Sequence, residues 1–247
     1  MIIKKEVGIT PFKQERRLHI YVPDDAFDKQ QRYPVMYMFD GHNLFEDEEA
    51  TYGKSWGLSD GLKRLKQEMI VVGIECNHEG YERLSEFSPY DFMYGRKKIK
   101  GKGRQLMAWV CDELKPLIDR ELPTMPDRLH TAIGGSSMGG LMALYTIFHH
   151  NDVFSKAAAL SPHIFGMEQV LAETCKQSLA LDTRIYVSWG AKECRNKQVL
   201  AEYSDYLISI ANQHLGQVYL NLKVNGEHNE ASWEEELPCF MAYLYEE

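Results

Sequence analysis

The stretch that most constrains this chain is Gly-Gly-Ser-Ser-Met-Gly-Gly, at residues 134–140. An apolar run at residues 129–133 precedes it, and an apolar-periodic segment at 141–148 follows it. Strand, tight turn and helix in this order form the context in which Gly-x-Ser-x-Gly exposes a nucleophilic serine. Ser137 fits that motif, whereas Ser136 has a methionine two positions later, where the motif requires glycine. The stretch therefore predicts a strained turn at Ser137, and the alternative interpretation is a small-residue turn that packs a helix closely on a sheet.

Hydrophobic patterns predict alternating strands and helices on both sides of this turn. Residues 2–9 and 16–22 indicate an antiparallel pair at a sheet edge, and residues 79–103 indicate a long loop. Further strands are predicted at 33–39, 69–74, 129–133, 157–160, 184–189 and 218–224. Helices are predicted at 57–66, 138–150, 167–179 and 199–213, and two more begin near residues 104 and 232. Pro116 is expected to kink or restart the helix that begins at 104. The pattern predicts a single α/β-hydrolase domain over residues 1–247, with a mostly parallel central sheet and helices on both faces.

Composition narrows the expected partners and compartment. The chain has 28 Lys and Arg against 36 Asp and Glu, and the net charge of −8 argues against nucleic acid or an anionic membrane as a partner. No apolar run approaches the roughly 18 residues of a membrane span, and no signal peptide is visible. The five cysteines show no Cys-x-x-Cys or Cys/His metal spacing, which is typical of reduced thiols in a cytoplasmic protein. The expected partner is a small-molecule substrate, and homo-oligomerisation is left open.

A serine hydroxyl needs a histidine as base, and a carboxylate must orient that histidine. In an open α/β sheet these groups gather at the carboxyl ends of the strands, in the chain order nucleophile, acid, base. Glu193 follows the strand at 184–189 and His228 follows the strand at 218–224, so we predict a triad of Ser137, Glu193 and His228. Less well-placed alternatives for the base or the acid are His130, His149, His150, His163, His214, Asp182 and Glu227.

Two backbone N–H groups are expected to bind the developing oxyanion, one of them from the residue after the nucleophile, Met138. The other is predicted to come from His42, in the Asp-Gly-His-Asn turn after the strand at 33–39, for which an ordinary turn is the alternative. Core or loop packing is the alternative for several aromatic residues near the expected mouth of the site. The predicted substrate pocket comprises Asn43, Tyr90, His163, Trp189 and Trp233.

Three stretches resemble the "putative esterase" (esterase D-like) family of α/β-hydrolases. They are residues 134–140, Tyr-Met-Phe-Asp-Gly-His-Asn-Leu-Phe at 37–45 and Gly-Glu-His-Asn-Glu-Ala-Ser-Trp at 226–233. The resemblance runs from about Leu18 to the C-terminus, and the family includes feruloyl, acetylxylan and siderophore esterases, S-formylglutathione hydrolase and mycolyltransferases. It implies the same triad and oxyanion donors, and an internal ion pair in the Arg-x-x-Glu stretch at 83–89. Unlike many members, the sequence shows no secretion leader and no accessory carbohydrate-binding or sandwich module.

The sequence therefore predicts a serine carboxylic-ester hydrolase that forms a covalent acyl-enzyme, acting on small or carbohydrate-linked esters of the acetyl or feruloyl type. The alternatives within the family are hydrolysis of a siderophore lactone or a thioester, and acyl transfer to an alcohol other than water. A third interpretation is a hydrolase-fold protein that binds a ligand without catalysis, because a fold alone does not establish activity. Neither a cofactor nor a metal ion is expected.

Overall fold

The computed structural model describes residues 1–28 and 30–246. The strands are β1 (Ile2–Ile9), β2 (Gln14–Tyr21), β3 (Val35–Phe39), β4 (Ile70–Ile74), β5 (Phe92–Tyr94), β6 (Lys97–Ile99), β7 (Thr131–Ser136), β8 (Lys156–Leu160), β9 (Arg184–Gly190) and β10 (Val218–Lys223). The α-helices are α1 (Leu58–Leu65), α2 (Glu82–Glu86), α3 (Gly103–Trp109), α4 (Lys115–Glu121), α5 (Met138–His149), α6 (Glu168–Thr174), α7 (Lys197–Gln213), α8 (Glu230–Glu234) and α9 (Leu237–Tyr245). None of the helices in these two stretches is both long and apolar enough to cross a membrane.

One eight-stranded sheet organises the fold, with the strand order β1-β2-β4-β3-β7-β8-β9-β10. β1 pairs with β2, and β2 with β4, in antiparallel fashion. Along the rest of this order, from β4 through β3, β7, β8 and β9 to β10, each strand runs parallel to the next. The predicted fold class is confirmed: the central sheet is mostly parallel, helices cover it, and its N-terminal edge is antiparallel.

The sheet separates two apolar cores, and β3 contributes to both. Val35, Tyr37 and Phe39 pack into one core, whereas the alternating residues Met36 and Met38 pack into the other. Successive side chains of a strand point to opposite faces, so a strand covered on both sides must be apolar along its whole length. Helices α3, α5 and α7 cover the first face, and α1 and α9 cover the second.

The segment that follows β4 differs from the long loop predicted at residues 79–103. It contains α2 and an antiparallel hairpin formed by β5 and β6. These elements are five and three residues long, which is too short for hydrophobic periodicity to reveal them. The helix predicted from residue 104 is confirmed. A π-helical turn at Val110–Leu114 joins α3 to α4, and Pro116 lies in the first turn of α4, directly after it. The helical backbone continues through this turn, so the predicted irregularity at Pro116 is a local change in the helical hydrogen bonding.

Because β3, β7, β8, β9 and β10 run parallel, their carboxyl ends lie along one edge of the sheet. A single turn of 3₁₀-helix, Gly41–Asn43, follows β3 there. Ser137 follows β7, and Ser161 follows β8. Glu193 and His228 lie in the loops that follow β9 and β10. The sheet therefore gathers residues from five separate parts of the chain at one edge.

Candidate active site

Ser137 occupies the strained turn that the sequence predicts between β7 and α5. Its backbone has φ 56° and ψ −119°, a conformation that costs a non-glycine residue roughly 1–3 kcal/mol. A Cβ on Gly135 would lie 2.9 Å from the carbonyl carbon of Gly139, and a Cβ on Gly140 would lie 2.8 Å from the carbonyl oxygen of Leu160. Only glycine fits such approaches. The N–H of Ser137 donates to the Leu160 carbonyl at 3.0 Å, which ties the turn to β8.

Glu193 and His228 form a hydrogen-bonded pair at the ends of β9 and β10. Oε2 of Glu193 lies 3.0 Å from Nδ1 of His228. Its other oxygen, Oε1, accepts hydrogen bonds from the Ser161 hydroxyl and the Gly190 N–H, each at 2.6 Å. A carboxylate only accepts, so Nδ1 of His228 carries the proton and Nε2 is left as an acceptor. The pair therefore presents the imidazole tautomer that a general base needs.

Ser161 supports this pair, and sequence reasoning did not assign it a role. The indole Nε1–H of Trp233 donates to Oγ of Ser161 at 2.9 Å, so the hydroxyl proton of Ser161 is free to point at Glu193. Ser161 itself has a left-handed backbone, with φ 45°. In the sequence it appears only as the residue that ends a strand before proline. A chain of hydrogen bonds thus connects the start of the C-terminal helices to the Glu193 carboxylate.

Two cavities meet at His228. The larger, of about 350 Å³, is lined by both Ser137 and His228, and its other walls are largely polar, among them Arg83 and Glu230. Burial raises the pKa of the Glu230 carboxyl above its ordinary value. The second pocket contains more apolar side chains: Pro162, Phe165, Val199, Leu200 and Tyr203. The site therefore offers a polar space and an apolar space that both contact His228.

The turn after β3 contains His42, the residue predicted to donate the second oxyanion hydrogen bond. Asp40 has a left-handed φ of 58°, and Gly41 packs so closely on β4 that a Cβ there would lie 2.5 Å from the carbonyl carbon of Gly73. Within residues 1–28 and 30–246, the backbone N–H groups of His42 and Met138 donate to no protein acceptor. They lie at the carboxyl ends of the neighbouring strands β3 and β7. Unpaired N–H groups at such a place are what a developing oxyanion requires.

An ion pair fixes this turn from the segment after β4. Nε and Nη2 of Arg83 donate to the two carboxylate oxygens of Asp40, at 2.7 Å each. Burial opposes ionisation of Asp40, and the guanidinium outweighs burial, so the pKa of Asp40 lies below its ordinary value. The family resemblance implied an ion pair inside residues 83–89, and the structure corrects this: Glu86 pairs with Arg16 at 2.8 Å, while Arg83 reaches across to the turn.

Three of the five residues predicted to form the substrate pocket line these cavities. Asn43 and Trp233 line the larger cavity, and His163 lines the apolar pocket. Within the described residues, neither Trp189 nor Tyr90 lines either cavity, so the pocket prediction is wrong for these two residues. Trp189 is 3% exposed and donates its indole N–H to a serine of α7, and the hydroxyl of the buried Tyr90 bonds to a threonine of α6. Buried rings whose polar atoms are satisfied internally belong to the core.

The other histidines considered for the base have different surroundings. Nδ1 of His130 lies 2.8 Å from an aspartate three residues earlier. Nε2 of His214 lies 2.5 Å from a backbone carbonyl, and His149 and His150 pack against a tyrosine of α5. Within the described chain, none of these four lines the cavity that contains Ser137.

Fold and site together define an α/β-hydrolase with a serine in a strained turn and a carboxylate-bound histidine on the same cavity. Solved structures agree on the fold. A ferulic acid esterase superposes with a TM-score of 0.72 at 17% identity, over 99% of this chain and 97% of that chain. An IroE-like serine hydrolase from Shewanella oneidensis superposes with a TM-score of 0.77 at 18% identity, over 98% of this chain and 79% of that chain.

The chain belongs to the family described as "Putative esterase", whose family model matches residues 9–244. It is therefore a carboxylic-ester hydrolase. Among curated proteins it is similar to the uncharacterized protein YbbA of Bacillus subtilis, with 22% identity over 194 residues, which are 76% of this chain and 73% of that protein. It is also similar to an endo-1,4-beta-xylanase/feruloyl esterase of Xylanibacter ruminicola, with 25% identity over 146 residues, which are 58% of this chain and 18% of that protein.

Proposed function

We propose that the protein is a serine esterase with Ser137, Glu193 and His228 as its catalytic triad. The observation that carries the proposal is the 3.0 Å hydrogen bond from His228 Nδ1 to Glu193, in an imidazole that shares a cavity with Ser137. A carboxylate on Nδ1 holds the proton there, so Nε2 can accept the proton of the serine hydroxyl. The strained backbone of Ser137 is the conformation that exposes a nucleophilic serine above a sheet.

In the first half of the reaction, His228 Nε2 takes the hydroxyl proton of Ser137 while the serine oxygen attacks the ester carbonyl. The negative charge that develops on the carbonyl oxygen is held by the N–H groups of His42 and Met138. One such donor contributes about 3–4 kcal/mol of transition-state stabilisation. His228 then gives its proton to the leaving alcohol, and the carbon–oxygen bond of the ester breaks, which leaves an acyl group on Ser137.

In the second half, a water molecule replaces the alcohol. His228 takes one proton of that water, whose oxygen attacks the acyl-enzyme carbonyl, and the same N–H groups hold the second oxyanion. Return of the proton to the Ser137 oxygen releases the carboxylic acid. Glu193 stays ionised throughout and stabilises the imidazolium that forms twice in each turnover.

The two cavities at His228 fit an ester with one apolar and one polar part. The apolar pocket, with Phe165 and Tyr203 in its wall, suits an acetyl or aromatic acyl group. The larger cavity, with Arg83 and Glu230, suits the hydroxyl groups of a polar alcohol such as a sugar. We therefore propose small or carbohydrate-linked esters of the acetyl or feruloyl type as substrates. The names of the ferulic acid esterase and of the xylanase/feruloyl esterase support this class.

The test is hydrolysis of p-nitrophenyl acetate, p-nitrophenyl butyrate and methyl ferulate by the wild-type protein and by Ser137→Ala. Removal of a triad nucleophile leaves only the contribution of binding and of the oxyanion hole, so we expect kcat to fall by roughly 10⁶-fold. Ser136→Ala is the matched control, because it removes the neighbouring hydroxyl, and we expect its kcat to stay within about tenfold of wild type.

Either of two results would contradict the proposed triad: Ser137→Ala as active as wild type, or Ser136→Ala and Ser137→Ala equally inactive although both are folded by circular dichroism. If the triad holds, the ratio of methyl ferulate to acetate hydrolysis decides the acyl group. A high ratio supports an aromatic acyl group, and a low ratio supports a short one.

A further inference from the structure

A group of three potential metal ligands lies beside the proposed oxyanion turn. His42, Cys76 and His78 each offer one ligand atom, and these atoms all lie within 4.8 Å of one another. Sγ of Cys76 lies 3.9 Å from Nδ1 of His78. The group is formed by two neighbouring parallel strands, because His42 follows β3 and the other two residues follow β4. The proposed ester hydrolysis uses none of these three side chains.

The imidazole of His42 has a nitrogen that lacks a partner. The residue is 6% exposed, and Nε2 lies 2.9 Å from the hydroxyl of Thr51. Nδ1 is buried and, within the described residues, has no hydrogen-bond partner. Nearly all buried polar atoms of proteins are hydrogen-bonded, and each exception calls for an explanation, such as an ion that binds there. An ion that accepts the lone pair of this nitrogen is such an explanation.

The ring of His78 is oriented in the way typical of a metal ligand. Its Nε2 lies 2.9 Å from Oε1 of Glu75, and the other oxygen of that carboxylate lies 2.8 Å from Nε2 of His19. A histidine that binds a metal through one nitrogen usually donates its other N–H to a carboxylate, which fixes the tautomer. Here the carboxylate holds the proton on Nε2, so the nitrogen beside the Cys76 sulfur is the one with a free lone pair.

We propose that His42, Cys76 and His78 bind a single transition-metal ion of the Zn²⁺ class. Two imidazole nitrogens and one thiolate suit zinc or copper and do not suit magnesium or calcium, which prefer oxygen. On binding, the Cys76 thiol gives its proton to solvent and donates the sulfur electron pair to the ion. Cys76 and His78 also line the cavity that contains Ser137, so the fourth coordination position is accessible to water from that cavity.

The geometry requires only small adjustments. Ligand atoms around a tetrahedral zinc ion lie about 3.3–3.6 Å apart, as follows from Zn–N distances near 2.0–2.1 Å and a Zn–S distance near 2.3 Å. The three ligand atoms here are within 4.8 Å of one another, so they must close by about 1 Å. Of the three side chains, that of His78 has the most freedom to move, because it is 55% exposed, whereas His42 and Cys76 are buried.

The experiment measures metal binding directly and does not depend on ester hydrolysis. Chelator-treated full-length protein is titrated with Zn²⁺ against a chromophoric chelator, and separately with Co²⁺ while the absorption spectrum is recorded. The test variants are Cys76→Ser and His78→Ala; the second removes an exposed ring, so it preserves the fold. The matched control is Cys111→Ser, because Cys111 lies 3.6 Å from a histidine nitrogen, His150 Nδ1, without belonging to a group of three ligands among the described residues.

We expect one Zn²⁺ per chain and a Co²⁺ spectrum with a thiolate-to-cobalt charge-transfer band. Cys76→Ser should lose that band, His78→Ala should weaken Zn²⁺ binding at least about tenfold, and Cys111→Ser should match wild type. The proposal is overturned if wild type binds no stoichiometric Zn²⁺. It is equally overturned if the Co²⁺ band survives in Cys76→Ser, if His78→Ala binds Zn²⁺ as tightly as wild type, or if Cys111→Ser removes the band.

Discussion

The substitution Glu193→Gln tests whether the carboxylate at the end of β9 sets the tautomer of His228. Glutamine has nearly the same shape as glutamate, but one of its two terminal atoms donates where the carboxylate accepts. Oε1 of Glu193 accepts hydrogen bonds from Ser161 and Gly190, and Oε2 accepts one from His228. The NH₂ group of the glutamine can therefore face either Ser161 and Gly190 or His228.

The backbone N–H of Gly190 determines which orientation of the amide is favoured. If the amide NH₂ faces Gly190, a fixed backbone N–H at 2.6 Å loses its acceptor, which costs about 1–3 kcal/mol. The favoured orientation turns the amide oxygen towards Gly190 and the NH₂ towards Nδ1 of His228. The imidazole proton then moves to Nε2, which can no longer accept the proton of Ser137. A wrong tautomer of this kind lowers kcat by roughly 10⁴-fold, or about 5.5 kcal/mol in activation free energy.

The assay is steady-state hydrolysis of p-nitrophenyl acetate, and thermal unfolding shows that each variant is folded. Glu227→Gln is the matched control: it removes the same charge from an exposed glutamate next to His228, and we expect its kcat to stay within about threefold of wild type. The reasoning is refuted if Glu193→Gln retains more than about a tenth of wild-type kcat, or if Glu227→Gln loses as much activity as Glu193→Gln.

Two further predictions concern stability. Arg83→Met leaves the buried Asp40 carboxylate without its cation. Loss of one partner of a fully buried pair costs about 3–5 kcal/mol. Because Arg83 is 32% exposed, we expect urea unfolding to show that the free energy of unfolding falls by a smaller amount, about 2–3 kcal/mol. The control Arg17→Met breaks an exposed pair with Glu6 and should cost less than about 1 kcal/mol; equal losses would contradict the argument. Burial opposes ionisation of Glu75, and hydrogen bonds to two histidines outweigh it, lowering its pKa from 4.5 to about 2. The contribution of ionised Glu75 to the free energy of unfolding is therefore complete above pH 4.5 and is lost as the pH falls towards 2. Glu75→Gln should flatten the dependence of the free energy of unfolding on pH in that range, and an unchanged slope would contradict this prediction.

Local patterns were enough to predict the elements that carry the site. Residues 33–39 and 69–74 were identified as strands because a strand covered on both faces is apolar at every position. The hairpin of β5 and β6 was not identified, because three-residue strands are too short to show a period. Trp189 was assigned to the pocket from its place near a strand end, but α7 packs over it and accepts its indole hydrogen bond. The position of a helix on the sheet is not encoded in the strand that it covers.

The sequence by itself determined the backbone around Ser137 and the chain order of the proposed nucleophile, acid and base, because glycine spacing and apolar runs act through steric contacts between near neighbours. Only the tertiary structure decided which strand ends lie side by side. β3 lies between β4 and β7, and this order brings His42 near Cys76 and His78 on one side and sets the β3 turn beside Ser137's strand on the other. The partners of Asp40 and Glu193 depend on the same arrangement, since hydrogen bonds between residues far apart in the chain form only after the sheet has assembled.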